Sequence, residues 1–164
     1  RVERTGFEAG LFATWRDDRS FVLNDERYVS ATILVAGPSF GVGSSREHAV
    51  WAIQQYGFEA VIAPSFSDIF RNNCTKNGLA PVALALDAVE KIWAAIEADE
   101  ATEIVIDMER LTVEVASISL TASFPMEPQN QYRFLNGLDD IGITMSHSDE
   151  ITSFESTRPS WLTN

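Results

Sequence analysis

"ATILVAGPSFGVGSSREHAVWAIQQYGFEAVIAPS", residues 31–65, decides how the rest of the chain is read. It opens on a short apolar run, Ala31–Gly37, whose length and terminal glycine suit a buried strand. Ala49, Ala52, Ile53 and Tyr56 then recur at i, i+3, i+4 and i+7, the spacing of one helical face, and Gly57 supplies the stop. "EAVIAPS" is a second strand. Strand, helix and strand in this order predict a parallel βαβ unit.

Working outward, "FSDIFRNNCTKNG" predicts a short helix stopped by Gly78, leading into "LAPVAL". "DAVEKIWAAIEAD" predicts a longer helix with Asp87 as N-cap and Val89, Ile92, Trp93 and Ile96 on one face. "EIVIDMERLTVEVASISLTASF" alternates apolar and polar residues, the period of antiparallel strands, with Glu109-Arg110 as the hairpin bend. From Pro125 onward, short helices are expected around "QYRFLNG" and "SDEITSFES". The first thirty residues are rich in turns and carry charges between Phe7, Phe12, Trp15 and Phe21, an irregular segment packed in part on the surface. The expectation is a single α/β domain over residues 1–164, a parallel βαβ core followed by antiparallel strands and helices.

Composition narrows the function. With 24 acidic and 12 basic side chains the formal net charge is -12, which disfavours nucleic acid, since phosphates call for a basic face. The chain has one cysteine, Cys74, so it forms no intrachain disulfide and points to a reducing compartment. One thiolate is also too few for an iron–sulfur cluster held by this chain. Neither a signal peptide nor a membrane-spanning apolar run is found, so a cytoplasmic location and no membrane partner are expected.

The chemistry concentrates in "GVGSSREHA", Gly41–Ala49. Ser44-x-x-Glu47 has the form of a capping box, which would explain the string as a well-made helix start. The same geometry suits an anionic substrate. A helix N-terminus after a glycine-rich turn presents free amides and positive potential. Arg46, read as lying in the first helical turn, adds a planar fork for a carboxylate. Ser44 or Ser45 in that field is suited to acid–base work, because the field stabilises an alkoxide. Other motifs fail. G-x-x-x-x-G-K-[ST] lacks its lysine, G-x-G-x-x-G its third glycine, and G-x-S-x-G does not match. His48 lies one turn along the same helix, a poor place to take a proton from Ser44, and His147 sits in a polar tail. No metal-ligand spacing is present.

The string "ILVAGPSFGVGSSREHAVWAIQQYGFEAVIAPSFSDIFRNNCTKNGL", with "RTGFEAGLF" before it and "LNGLDDIGITMSHSDEITSFESTRPSW" after it, resembles the small subunit of 3-isopropylmalate dehydratase, in the aconitase superfamily. The resemblance implies the swivelling β/β/α domain, similar to the aconitase C-terminal domain, closing over a large subunit that carries a [4Fe–4S] cluster. It implies a heterodimer that interconverts 2-isopropylmalate and 3-isopropylmalate by dehydration and rehydration in leucine biosynthesis. Ser44 would be the base, with Ser45, Arg46 and Gly43 holding the carboxylate of the small dicarboxylate substrate. Arg1 and Arg4 would end the loop that reads the substrate side chain. No cofactor or metal is expected in this chain itself. Members commonly carry Cys or Thr where Val42 stands, and Asp or Asn at Ser39, neither a catalytic position. Members also have an N-terminal strand with an Asp-Thr-Asp motif ahead of "RVERTGF", so this sequence, starting at Arg1, is expected to be trimmed. Two alternatives stay open: a homoaconitase-like small subunit, and a non-catalytic anion-binding or regulatory module.

Overall fold

The computed structural model describes residues 5–43 and 46–158. Ser44, Ser45, Arg1 and Arg4 lie outside the described residues. Among the described residues, two three-stranded sheets form, joined by one of the two hydrophobic clusters.

The first sheet is parallel, in the order β1 (Ile33–Val35), β2 (Ala60–Ala63), β3 (Ala80–Ala83), with Ile33 opposite Ala60 and Ala60 opposite Ala80. Its connections are the helices α2 (His48–Tyr56) and α3 (Asp68–Asn77), which follow the short N-terminal helix α1 (Ala13–Arg16). Gly57 and Gly78 end α2 and α3 with φ of 121° and 77°, conformations a side chain disfavours. The βαβ expectation is therefore met. Only β2 is buried throughout; of the two edge strands, β3 is buried at three of its four residues and β1 is half-buried.

Alternation along β2 divides the core in two. Ala60 and Ile62 join a cluster with Val82, Val89, Ile92, Val113 and Val115, whereas Val61 points to the opposite face, with Val50, Ile53, Phe70, Cys74 and Leu79. The second face is thus covered by α2 and α3. The first is covered by α4 (Leu86–Ala98) and by the second sheet. In α4, Val89 and Ile92 are fully buried and Trp93 and Ile96 pack against the same cluster. Its start differs from expectation. Ala85 takes the N-cap position, and Asp87 lies inside the first turn, 3.7 Å from Lys91 one turn on. A carboxylate there still meets the positive end of the helix.

The second sheet is the antiparallel meander β4 (Val105–Asp107), β5 (Thr112–Val115), β6 (Leu120–Ser123). The expected bend at Glu109-Arg110 is present, closed by Asp107 Oδ1, which accepts the amides of Glu109 (2.9 Å) and Arg110 (2.8 Å). A second bend runs through a 3-10 turn, Ala116–Ile118, and Ser119 at φ 50°. Three helices follow: α5 (Pro128–Asn136), α6 (Asp140–Ser146) and α7 (Ser148–Ser156). The first and last are those expected. α6 was not expected, since its seven residues are too few to establish a period, and its cap is Asp139, accepting Gly142 N at 2.6 Å.

The N-terminal segment is irregular, as read. It consists of 3-10 turns and α1, with Phe12, Trp15 and Phe21 in mutual contact and Leu23 O accepting Tyr56 Oη at 2.9 Å.

Candidate active site

The glycine-rich turn leaves the C-terminal end of β1, where binding sites of open parallel sheets are found. Its first half runs beside the chain leaving β2. Ser39 N donates to Ser65 Oγ (2.9 Å), Phe40 N to Ser65 O (2.9 Å), and Ser67 N to Phe40 O (3.0 Å). The Phe40 ring meets Phe70 edge-on at 5.3 Å. Gly41 then turns at φ 81°, where a side-chain carbon would collide with the Phe70 ring. Its carbonyl accepts Ser67 Oγ at 3.0 Å, while the same hydroxyl oxygen accepts Phe70 N at 3.3 Å as the N-cap of α3. Val42 and Gly43 are exposed.

The chain is next described at Arg46 and Glu47, both exposed. Here the structure corrects two expectations. α2 begins at His48, so Arg46 precedes the helix rather than lying in its first turn. Glu47 takes the N-cap position with αR backbone angles, and its Oε1 accepts Asn77 Nδ2 at 2.7 Å. The capping box paired Glu47 with Ser44, which lies outside the described residues. The helix is entered through the bonds Ala49 N to Arg46 O (3.3 Å) and Val50 N to Glu47 O (2.9 Å). Its first amides therefore face back towards the turn.

Among the described residues, the histidines meet partners outside this turn. His48 is half-buried, stacked on Phe7 (5.0 Å) and edge-on to Trp51 (5.0 Å). His147 is exposed between α6 and α7, its Nδ1 3.1 Å from Glu150 Oε2. Cys74 is fully buried on α3, and burial pushes its thiol up from its ordinary range. Among the described residues no three His, Cys, Asp or Glu side chains group as metal ligands. No described helix is long and apolar enough to cross a membrane.

The sequence reading missed Ser67 and Asn77. Ser67 carries a recognisable signal, a serine directly before an acidic first helical residue. Asn77, the residue before the stop glycine, carries none.

The stretch that holds the parallel βαβ unit and its glycine-rich turn is matched by the family model of the aconitase C-terminal domain, over residues 5–87, half of the chain. Residues 140–162 match a second model, the C-terminal domain of the 3-isopropylmalate dehydratase small subunit. The chain is 54% identical over 162 residues to the 3-isopropylmalate dehydratase small subunit of Parafrankia sp., covering 99% of this chain and 82% of the relative. It is 53% identical over 163 residues to that of Nocardioides sp., covering 98% and 81%. The crystal structure of 3-isopropylmalate dehydratase from Methanocaldococcus jannaschii has the same fold, with TM-score 0.62 and 24% identity over 94% of this chain and 84% of that one. The chain belongs to the family of 3-isopropylmalate dehydratase small subunits, subunits of a hydro-lyase. A small subunit implies a large-subunit partner.

Proposed function

We propose that Gly43–Arg46 is the small subunit's share of a site that interconverts 2-isopropylmalate and 3-isopropylmalate by dehydration and rehydration in leucine biosynthesis. The supporting observation is the turn itself. It stands at the C-terminal end of β1, immediately ahead of the α2 N-terminus, and is tied down at Gly41 and at Glu47.

Each residue has a chemical task in this reading. Ser44, as alkoxide, takes the proton from the carbon beside a substrate carboxylate, and the hydroxyl leaves from the neighbouring carbon as water, taking a proton from solvent, to give the unsaturated acid. Rehydration with the opposite placement returns that proton from Ser44. Helix potential favours the alkoxide and the carboxylate alike. The Arg46 guanidinium holds the carboxylate as a bidentate fork, with Ser45 Oγ and the Gly43 amide beside it. Arg1 and Arg4 belong to the loop that reads the substrate side chain. The chain works as one swivelling domain in the cytoplasm.

A [4Fe–4S] cluster does not fit the residues of this chain. Such a cluster needs several thiolates, and the one cysteine is sealed in the core with its thiol held protonated. The cluster is therefore assigned to the large subunit.

The test is Ser44→Ala in the assembled enzyme, followed by ultraviolet detection of the unsaturated intermediate. kcat falls by ~10²-fold or more with KM little changed, the usual scale for a positioned base. A variant that keeps its turnover and loses only about 1 kcal/mol of stability would reduce Ser44 to a structural residue of the turn. The same assay with homoaconitate in place of the isopropylmalate intermediate distinguishes the homoaconitase-like alternative.

A further inference from the structure

The turn from Gly41 to Glu47 is held at both ends by one helix, α3. At the start of α3, the Ser67 hydroxyl donates to Gly41 O (3.0 Å), and the Phe70 ring occupies the space beside Gly41. At its end, Asn77 gathers the entry of α2. Asn77 Nδ2 donates to Glu47 Oε1 (2.7 Å) and to Asn73 O (2.9 Å). Its Oδ1 accepts Trp51 Nε1 (2.9 Å), and its backbone carbonyl accepts Gln54 Nε2 (2.7 Å). Both side-chain donor hydrogens and the amide oxygen are thus in use, which makes the amide orientation unique: reversed, it would set an NH2 against the Trp51 N–H.

This network is richer than packing α2 on α3 requires. Trp51 and Gln54 already tie the middle of α2 to the end of α3, whereas the Glu47 bond reaches beyond the first residue of α2. Glu47 is exposed, so burial does not hold it. Its contact with Asn77 holds the side chain of the residue that follows Arg46 and stands three after Ser44 in sequence.

We propose that Asn77 is a positioning residue for the dehydratase reaction, acting through Glu47 to set how Ser44, Ser45 and Arg46 are presented to substrate. This rests on the reading of Gly43–Arg46 given above. Proton abstraction from carbon is sensitive to such placement, since an error of 1 Å costs up to ~10²-fold in rate.

The experiment uses the complex with the large subunit and reads kcat, KM, thermal midpoint and pH profile. Asn77→Asp sets a carboxylate against Glu47 and lowers kcat by ~10-fold or more near pH 8. As pH falls, one proton shared by the pair restores a donor, so kcat of Asn77→Asp recovers relative to the unaltered enzyme. In Asn77→Asp/Glu47→Gln the hydrogen bond re-forms with reversed polarity, the introduced side-chain amide donating to the introduced carboxylate. Its kcat returns to within ~3-fold without the pH dependence. Glu47→Ala removes the same contact at an exposed position, where folding is not at risk, and reproduces the loss of kcat.

A merely structural Asn77 gives another pattern. Thermal midpoints fall, kcat per folded complex stays unchanged, and the double variant rescues nothing; that pattern overturns the inference. Ser44→Ala, run in parallel, separates the two ideas. Full turnover in Ser44→Ala overturns the functional reading and this inference with it. Loss in Ser44→Ala with kcat retained in Asn77→Asp and Glu47→Ala overturns the positioning role alone.

Discussion

A side-chain carbon on Gly41 would lie 2.3 Å from Cγ of Phe70, and Gly41 turns at φ 81°. Sterics and backbone conformation therefore both demand glycine. Gly41→Ala is expected to cost roughly 3 kcal/mol or more, as strain at positive φ and overpacking against a buried ring add. Gly43 has no described atom within 4 Å of such a carbon and no positive φ. Gly43→Ala should leave stability within about 0.5 kcal/mol and act on KM instead. Urea unfolding of the two variants, paired with their kinetics, checks both halves.

Arg46 stands before α2, exposed, rather than within the helix. Lysine there would keep the charge and lose the fork. Arg46→Lys is expected to raise KM by ~10-fold or more, with a smaller change in kcat, because one ammonium cannot bind a carboxylate bidentately. Initial-rate measurements over a range of isopropylmalate concentrations settle it; an unchanged KM removes Arg46 from substrate binding.

Cys74 is sealed between α3 and the sheet. Cys74→Ala should leave the turnover of the complex within a few-fold and its iron content unchanged. It should also alter the response to alkali. Burial holds the folded thiol's pKa above its ordinary value of 9.0. Below that pH the thiol is protonated in both states and adds no pH dependence. Above it the unfolded chain loses the proton while the folded chain keeps it. Stability then falls as pH rises, by up to about 1.4 kcal/mol per pH unit. Chemical denaturation at pH 8 and pH 10 should show a larger fall in the unaltered chain than in Cys74→Ala.

Arg133 Nη2 reaches Asp140 Oδ1 at 2.5 Å, and the arginine side chain is only 14% exposed. The pair fastens the start of α6 to α5. Asp140→Asn should loosen residues 140–156 with little effect on the sheets. Hydrogen exchange reads this directly: amides of α6 and α7 should exchange at least ~10-fold faster, while those of β2 keep their protection. Equal acceleration in β2 would mean that the pair supports the whole fold.

Regular spacing made most elements legible. The periodicities around Ile53, Val61 and Ile92, and the stop glycines Gly57 and Gly78, placed the sheet and its helices correctly. Helix starts were less legible. Asp87 and Ser44 both resemble caps, yet α4 starts at Leu86, one residue ahead of Asp87, and α2 starts only at His48. Tertiary partners decide such matters, as the Glu47–Asn77 bond does for α2. The residues proposed for the site, Gly43 to Arg46, are contiguous and can be named from the sequence as a string. The supports of the turn cannot. Ser67 and Asn77 lie 20 or more residues downstream and come to the turn only once α3 has packed.

Because both anchors sit at the two ends of α3, the turn depends on the parts of a helix that open most readily. A helix of ten residues frays at its first and last turns well before its middle yields. On warming, then, catalytic competence should be the first property lost, while the sheets still stand. The temperature limit on leucine supply would lie with the ends of this helix, some degrees below the melting of the core that carries it.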